Sequence, residues 1–271
     1  MSEALARLRT RIERRDSMLC VGLDSALERL PRRFAAEPQP QLAFNRWIIE
    51  QTQPYTAAYK PNLAFYEARG SAGWAELAET MSFLRATAPD VFTIADAKRA
   101  DIGSTNAGYV RGLFDELGFD AVTVHPYLGG EALAPFLERE DKTVIVLCRT
   151  SNPGAAELQD LAVGGTPLWE VVATRVRDEW NAKGNCMLVV GATYPAELAR
   201  LRELCPALPF LVPGVGAQGG DIEAVVAGGL DADGGGLLIN ASRSIIFADD
   251  PAAEARATRD AIAAAAARGR A

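Results

Sequence analysis

The sequence is poor in the residues that build metal centres and disulfide frameworks. It has one histidine, His125, and four cysteines, none of them in a CxxC or other metal-like spacing. A single histidine cannot anchor a multi-histidine site, which excludes most zinc and non-haem iron chemistry. Three of the cysteines lie in apolar runs, where a thiol acts as a small hydrophobe, so we expect a reduced, cytoplasmic compartment.

Long apolar runs and excess positive charge are also missing. The longest runs, residues 144–148 and 186–190, fall far short of the roughly 18 residues of a membrane span. The net charge of −7 opposes binding to nucleic acid or to an anionic membrane surface, because phosphate contacts need a clustered positive field. Any phosphate that the protein binds must be held locally.

The composition is that of an ordinary globular chain, with 49% hydrophobic and 23% charged residues. Its 271 residues fit one α/β barrel as well as two small domains. Since no Gly/Ser-rich linker or change of composition divides residues 1–271, we expect a single domain.

Eight short apolar runs alternate with segments of helical period along the whole chain. The runs are residues 18–23, 55–59, 91–95, 121–124, 143–148, 186–190, 209–212 and 236–240. Each has the length of a strand that is buried on both faces. Alternating strands and helices imply parallel pairing, and eight units favour closure into a (β/α)8 TIM barrel over an open doubly wound sheet.

The N-terminal segment predicts a helix that precedes the first strand. Residues 1–17 are rich in arginine and place Leu5, Leu8 and Ile12 on one helical face. Acidic residues within the segment argue against a transit peptide. We therefore expect a leader helix that packs on the barrel.

Two further segments give local expectations. Residues 110–117 carry apolar side chains at helical spacing, and Gly118 ends that predicted helix. Thr166 followed by Pro167 indicates a helix N-cap and first turn. The connection over residues 151–165 reads as irregular and is a candidate lid or rim loop.

Charged side chains stand where the predicted strands end, which in a barrel is the functional face. They are Asp24, Lys60, Asp96, Lys98 and Asp101. Asp96 and Lys98 are two residues apart and would point to one side of a strand, with Asp101 just beyond, so we expect these charges to converge. The alternative is a surface ion-pair cluster. The buried approach FTIADAKR disfavours it, because unpaired buried charges are costly.

The last two strand ends together predict a phosphate site. A glycine-rich stretch, residues 213–220, follows the seventh run, and Arg243 follows the eighth. Glycines let backbone N–H groups approach an anion, and a guanidinium supplies a bidentate fork. In barrels the usual phosphate site lies at these two loops.

At these residues the sequence resembles the orotidine 5'-phosphate decarboxylase family, in its longer bacterial branch. The matching motifs, in order, are VGLDS at 21–25, YKPN at 59–62, DAKRADIGST at 96–105, RTSNPG at 149–154, PGVGAQGGD at 213–221 and NASR at 240–243. They span nearly the whole chain. The family commonly has glycine where Ala100 stands here, a departure that affects only the geometry of the loop.

The resemblance implies a homodimer with shared active sites. Lys60, Asp96 and Lys98 would come from one subunit and Asp101 from the other. The resemblance also implies substrate-binding residues, with Arg243 and Gln218 on the phosphate, Ser151 on the pyrimidine edge, and Asp24 with Lys60 on the ribose. The full implied binding set is Asp24, Ile102, Thr105, Ser151, Pro213, Gln218 and Arg243. No metal and no organic cofactor is implied.

The implied chemistry assigns the central role to Lys98. Loss of CO2 from C6 of orotidylate leaves a carbanion that no pyridoxal or thiamine group delocalises. Fixed protein charge must stabilise it, and the Lys98 ammonium could do so and then donate a proton.

Two other interpretations stay open. A related phosphosugar lyase or aldolase would use magnesium, but its relatives place a glutamate ligand where this chain has Lys60, whose charge repels Mg2+. A catalytically silent barrel could bind a nucleotide phosphate as a sensor, but such a binder has no need of a costly charge cluster.

Overall fold

Eight parallel strands close into a barrel in the computed structural model, which describes residues 1–215 and 220–269. Each strand pairs with its neighbours in the chain, and the last pairs with the first, with Cys20 beside Asn240. The strands are β1 Leu19–Gly22, β2 Ala58–Lys60, β3 Phe92–Arg99, β4 Ala121–Val124, β5 Thr143–Arg149, β6 Cys186–Val190, β7 Phe210–Pro213 and β8 Leu237–Ala241. Each predicted apolar run overlaps one strand, and the predicted (β/α)8 barrel is confirmed.

Helices alternate with these strands and form the outer layer. They are α1 Glu3–Arg15, α2 Arg32–Ala35, α3 Pro40–Thr52, α4 Ala64–Glu67, α5 Gly70–Thr87, α6 Gly103–Val110, α7 Gly129–Leu137, α8 Ala156–Gln159, α9 Leu168–Arg175, α10 Pro195–Leu204, α11 Ile222–Gly229, α12 Arg243–Ile246 and α13 Pro251–Gly269. The helix predicted over residues 110–117 begins earlier, at Gly103, and continues past Val110 as the π-helix Arg111–Glu116.

The strands bury side chains on both faces, which explains why they read as continuous apolar runs. In β5, Ile145 belongs to a cluster inside the barrel, whereas Val144 and Val146 belong to the cluster between strands and helices. All three residues are fully buried. This double burial leaves the strand ends as the places where polar groups can gather.

Helix α1 closes the amino-terminal end of the barrel. Leu5 and Leu8 join the cluster inside the barrel. The buried Arg11 guanidinium donates to the carbonyl of Thr56, just before β2, and pairs with Asp90, just before β3. The expected packed leader helix is confirmed, and it leaves the carboxyl-terminal end of the barrel open.

The expectation that residues 151–165 are irregular is wrong. The segment contains a 3-10 turn, Pro153–Ala155, then α8, and then the first strand of a two-stranded hairpin. Gly164 and Gly165 both have positive φ, 60° and 88°. A Gly-Gly pair with this backbone is the two-residue turn that suits a hairpin.

The same hairpin overturns the prediction that Thr166 is a helix N-cap. Thr166 pairs with Val163 across the hairpin, and Pro167 occupies the N-cap position of α9. Strand pairing therefore moves the N-cap one residue along the chain, from the predicted Thr166 to Pro167.

Candidate active site

The carboxyl-terminal ends of the strands surround a cavity of about 480 Å³. Its volume lies within the range of small-molecule sites. Seven of the residues predicted from the sequence line it, namely Asp24, Lys60, Asp96, Lys98, Ser151, Pro213 and Arg243. The structure thus brings together residues from six strand ends that are distant in the chain.

A carboxylate held between two ammonium groups forms the charged centre of the cavity. The Asp96 Oδ2 atom accepts from Lys60 Nζ at 3.1 Å, and Asp96 Oδ1 accepts from Lys98 Nζ at 2.5 Å. The side chains of Lys60 and Asp96 are 5% and 11% exposed, whereas that of Lys98 is 50% exposed. Lys98 is therefore the cation of this trio that a ligand can reach most readily.

The electrostatics of the trio favour its charged form. Burial by itself would raise the pKa of Asp96, but the charges and hydrogen bonds of Lys60 and Lys98 outweigh it and lower that pKa well below its usual range. Burial opposes the charge on Lys60, yet the carboxylates of Asp96 and Asp24 raise the pKa of Lys60 above its usual value. A buried pair that holds its charges at neutral pH is ready to act on a charged ligand.

The backbone at Lys98 departs from a regular strand. Its φ is +47°, a left-handed conformation that costs a non-glycine residue about 1–2 kcal/mol. The pairing of β3 with β4 also shifts between Ala95 and Arg99. Asp96 and Lys98 nevertheless both line the cavity, and Ala97 between them packs in the cluster between strands and helices, so the predicted placement of the two charges on one side holds across this local bulge.

Asp101, Ile102 and Thr105 do not line the cavity of this chain. The Asp101 carboxylate accepts from the backbone N–H of Ile102 at 2.7 Å, and the backbone N–H of Asp101 donates to Asn106 Oδ1. Ile102 is 63% exposed. The assignment of these residues to a shared site stays a prediction.

Two buried oxygen atoms in the cavity wall are left for a ligand. The Oδ1 atoms of Asp24 and Asn240 are buried and have no hydrogen-bond partner among the residues that the structure describes. A buried acceptor without a donor is costly, so these atoms suit the hydroxyl or N–H groups of a bound molecule.

The glycine of the VGLDS motif has a steric role at this wall. A Cβ at Gly22 would lie 1.8 Å from Ser242 Oγ and 3.4 Å from Asp24 Oδ2. Only glycine allows β1 and the residue that follows β8 to approach so closely.

The residues at the end of β7 and the start of α12 form one side of the cavity, where Arg243 supplies a cation. Val215 and Gly220 form an isolated bridge, and the Gly220 N–H donates to the Gly214 carbonyl at 3.1 Å, so residues 215 and 220 lie side by side. Arg243 is exposed and lines the cavity. Gln218 lies outside the described residues.

The segment after β5 contributes polar groups that we did not predict. Gln159 of α8 accepts from the Thr150 N–H at 2.9 Å and donates to Thr150 Oγ1 at 2.8 Å, which ties α8 to the end of β5.

Four polar residues that we did not predict line the cavity, namely Gln159, Asn152, Asn62 and Thr123. A signal for Thr123 was present, because it is the polar residue within the otherwise apolar run AVTV.

Other kinds of site are not supported within residues 1–215 and 220–269. No group of three or more histidine, cysteine, aspartate or glutamate side chains there is arranged to hold a metal ion. No helix of that part of the chain is both long enough and apolar enough to cross a bilayer. All four cysteines are buried and free of disulfides.

The fold and the site together define an enzyme of the (β/α)8-barrel class, with paired ammonium and carboxylate groups at the carboxyl-terminal mouth. The sequence profile of the orotidine 5'-phosphate decarboxylase / HUMPS family matches residues 17–258. The chain belongs to this family.

Individual relatives agree over almost the whole chain. The orotidine 5'-phosphate decarboxylase of Thermomicrobium roseum is 53% identical over 256 residues, which cover 93% of this chain and 90% of that protein. The orotidine 5'-phosphate decarboxylase of Herpetosiphon aurantiacus is 50% identical over 244 residues, with 90% and 89% covered. The solved structure of Leishmania donovani OMP decarboxylase is 44% identical, with a TM-score of 0.88, 98% of this chain and 99% of that chain covered. The chain is an enzyme of the carboxy-lyase class.

Proposed function

We propose that the protein converts orotidine 5'-phosphate to uridine 5'-phosphate and CO2 in pyrimidine biosynthesis. The observation that carries the proposal is the Lys98 ammonium, which sits on Asp96 and faces the same cavity that Arg243 lines. The cavity thus has a cation on each of two sides. They match the two charged parts of this substrate, the carboxylate at the reacting carbon and the phosphate. The names of its relatives support the same substrate.

The bond to the carboxylate at C6 breaks with its electron pair remaining on C6, and CO2 leaves. The Lys98 ammonium stabilises this carbanion and then donates a proton to C6, which gives uridine 5'-phosphate and a neutral amine that regains its proton from water. Asp96 holds the ammonium beside the reacting carbon, and Lys60 keeps Asp96 charged. Fixed charges of this kind lower the barrier because they need no reorganisation during the reaction.

One ion pair does not account for the whole rate enhancement. A charge pair at about 4 Å is worth about 4 kcal/mol at an effective dielectric constant near 20, whereas enzymes commonly lower barriers by about 8–23 kcal/mol. We assign the remainder to exclusion of water and to binding of the remote phosphate, which can be used to close loops over the substrate.

The substrate contacts follow from the positions around the cavity. Arg243 and Gln218 would bind the phosphate, next to Pro213 at the end of β7. Ser151 would bind the pyrimidine edge. Asp24, whose buried Oδ1 awaits a donor, would bind the ribose together with Lys60.

We propose a homodimer in which Asp101, Ile102 and Thr105 enter the partner's site. The exposed apolar surface beyond β3 and β4 supports this arrangement, since Ile102 is 63% and Tyr127 78% exposed. Exposed apolar patches mark protein–protein interfaces, and a partner subunit at this end of the barrel would cover both side chains. Asp101, placed against the substrate carboxylate, would add ground-state repulsion that departure of CO2 relieves.

The buried free thiols support a reducing, cytoplasmic compartment. The buried Lys60 ammonium beside Asp24 and Asp96 counts against a magnesium-dependent lyase, because it occupies the place that a divalent cation would need.

The direct test is the ultraviolet absorbance of orotidine 5'-phosphate during incubation with the purified protein. We expect the orotidylate spectrum to convert to that of uridine 5'-phosphate, unaffected by a chelator. An unchanged spectrum with bound nucleotide would indicate a silent binder. Activity on a ribulose-type phosphate that a chelator abolishes would indicate the magnesium-dependent lyase. Either result would overturn the proposal.

A further inference from the structure

The hydroxyl group of Thr123 makes three hydrogen bonds to the segment that carries Asp96 and Lys98. Thr123 lies on β4, is 1% exposed and lines the cavity. Its Oγ1 accepts from the backbone N–H of Ala97 at 3.0 Å and from that of Lys98 at 2.9 Å, and it donates to Asp96 Oδ1 at 3.0 Å.

These bonds fix the direction of the hydroxyl proton. A hydroxyl group has one O–H donor and two acceptor lone pairs. Two N–H groups occupy both lone pairs, so the proton can only point at the Asp96 carboxylate. The same Oδ1 atom receives the Lys98 ammonium. Thr123 therefore sets the position of the oxygen on which the Lys98 cation rests.

The bonds also replace strand pairing where it fails. The β3 to β4 pairing shifts between Ala95 and Arg99, and Lys98 adopts its left-handed φ within that gap. Without Thr123, the buried N–H of Ala97 and the partly buried N–H of Lys98 would lack this acceptor. One side-chain oxygen satisfies both and holds the bulge in its observed shape.

We infer that Thr123 is a positioning residue for decarboxylation, which sets where the Lys98 ammonium stands relative to the reacting carbon. The inference rests on the proposed function, in which Lys98 is the catalytic cation. Thr123 acts through Asp96 and through the backbone of Lys98. Its loss should therefore affect the chemical step more than nucleotide binding, because the phosphate contacts lie elsewhere in the cavity and Thr123 bonds Asp96 Oδ1, whereas Lys60 bonds Oδ2.

The test compares Thr123→Val, which removes the hydroxyl at nearly constant volume, with Thr123→Ser, which keeps it. The matched control is Thr93→Val at the opposite end of β3. The buried Thr93 hydroxyl donates to the carboxylate of Asp120 and accepts from the backbone N–H of the same residue. For each protein, kcat and KM for orotidine 5'-phosphate, Kd for uridine 5'-phosphate and the thermal midpoint are measured. If Thr123→Val does not fold, Thr123→Ala removes the same hydroxyl and takes its place.

We expect Thr123→Val to lower kcat by on the order of 100-fold, as a misplaced catalytic group does. We expect KM and Kd to change by less than about threefold. Thr123→Ser should restore most of kcat, and Thr93→Val should keep the wild-type kcat even if its thermal midpoint falls. The inference is overturned if Thr123→Val keeps kcat within about twofold, or if its activity falls only in proportion to lost folded protein, as in Thr93→Val. Failure of the wild-type protein to consume orotidine 5'-phosphate would instead refute the proposed function.

Discussion

Replacing Asp96 with asparagine should destabilise the protein as well as inactivate it. The substitution leaves two ammonium groups without the carboxylate they share, and one of them, Lys60, is buried. At the observed 3.1 Å, the Lys60 pair alone corresponds to about 5 kcal/mol at an effective dielectric constant near 20. Removing one partner of a buried pair typically costs about 3–5 kcal/mol, and we expect a loss in that range.

The assay is chemical and thermal unfolding at fixed protein concentration. The expected loss corresponds to a fall of roughly 6–20 °C in the thermal midpoint. Asp115→Asn is the control, because its partner Arg139 and its own side chain are 26% and 51% exposed, and such surface pairs contribute about 0–1 kcal/mol. The double variant Lys60→Met with Asp96→Asn removes the orphaned charge and should recover part of the stability. The reasoning is refuted if Asp96→Asn is as stable as wild type, or if the double variant is no more stable than Asp96→Asn.

Three further predictions concern pH, phosphate and the dimer. Folding lowers the pKa of Asp96, so the contribution of Asp96 to stability is full above its unfolded pKa of about 4 and is lost as the pH falls towards the folded value. The difference in unfolding free energy between wild type and Asp96→Asn should therefore become smaller in acid. A difference that stays constant with pH would contradict this. Arg243→Ala should raise KM by more than about tenfold with a smaller effect on kcat, and steady-state kinetics showing unchanged KM would remove Arg243 from the phosphate site. Mixing inactive Lys98→Ala and Asp101→Ala chains should recover one competent site per heterodimer, and no recovery would place both residues in one subunit's site.

The architecture could be predicted from the sequence because parallel strands that are buried on both faces have short, continuous apolar sequences. Residues 143–148 and 186–190 illustrate this, since each matches one strand to within one residue. Polar residues at the carboxyl ends of these runs must lie at the same end of the barrel, because the strands are parallel. That is why the sequence alone could place Asp24, Lys60 and Arg243 in one cavity.

Features that depend on contacts between distant segments could not be predicted in the same way. The N–H of Lys98, whose backbone is left-handed, donates to the hydroxyl oxygen of Thr123, which is 25 residues away in the chain. The hairpin closed by Gly164 and Gly165 competes with a plausible helix cap at Thr166, and strand pairing prevails. Local spacing contains no information about which of two compatible local structures tertiary contacts will select.

The most direct test of the central claim is the turnover of orotidine 5'-phosphate by Lys98→Ala. In this account the Lys98 ammonium stabilises the carbanion and supplies the proton, so turnover should fall below detection while uridine 5'-phosphate still binds through Arg243 and the ribose contacts. Near-normal activity in Lys98→Ala would contradict the account.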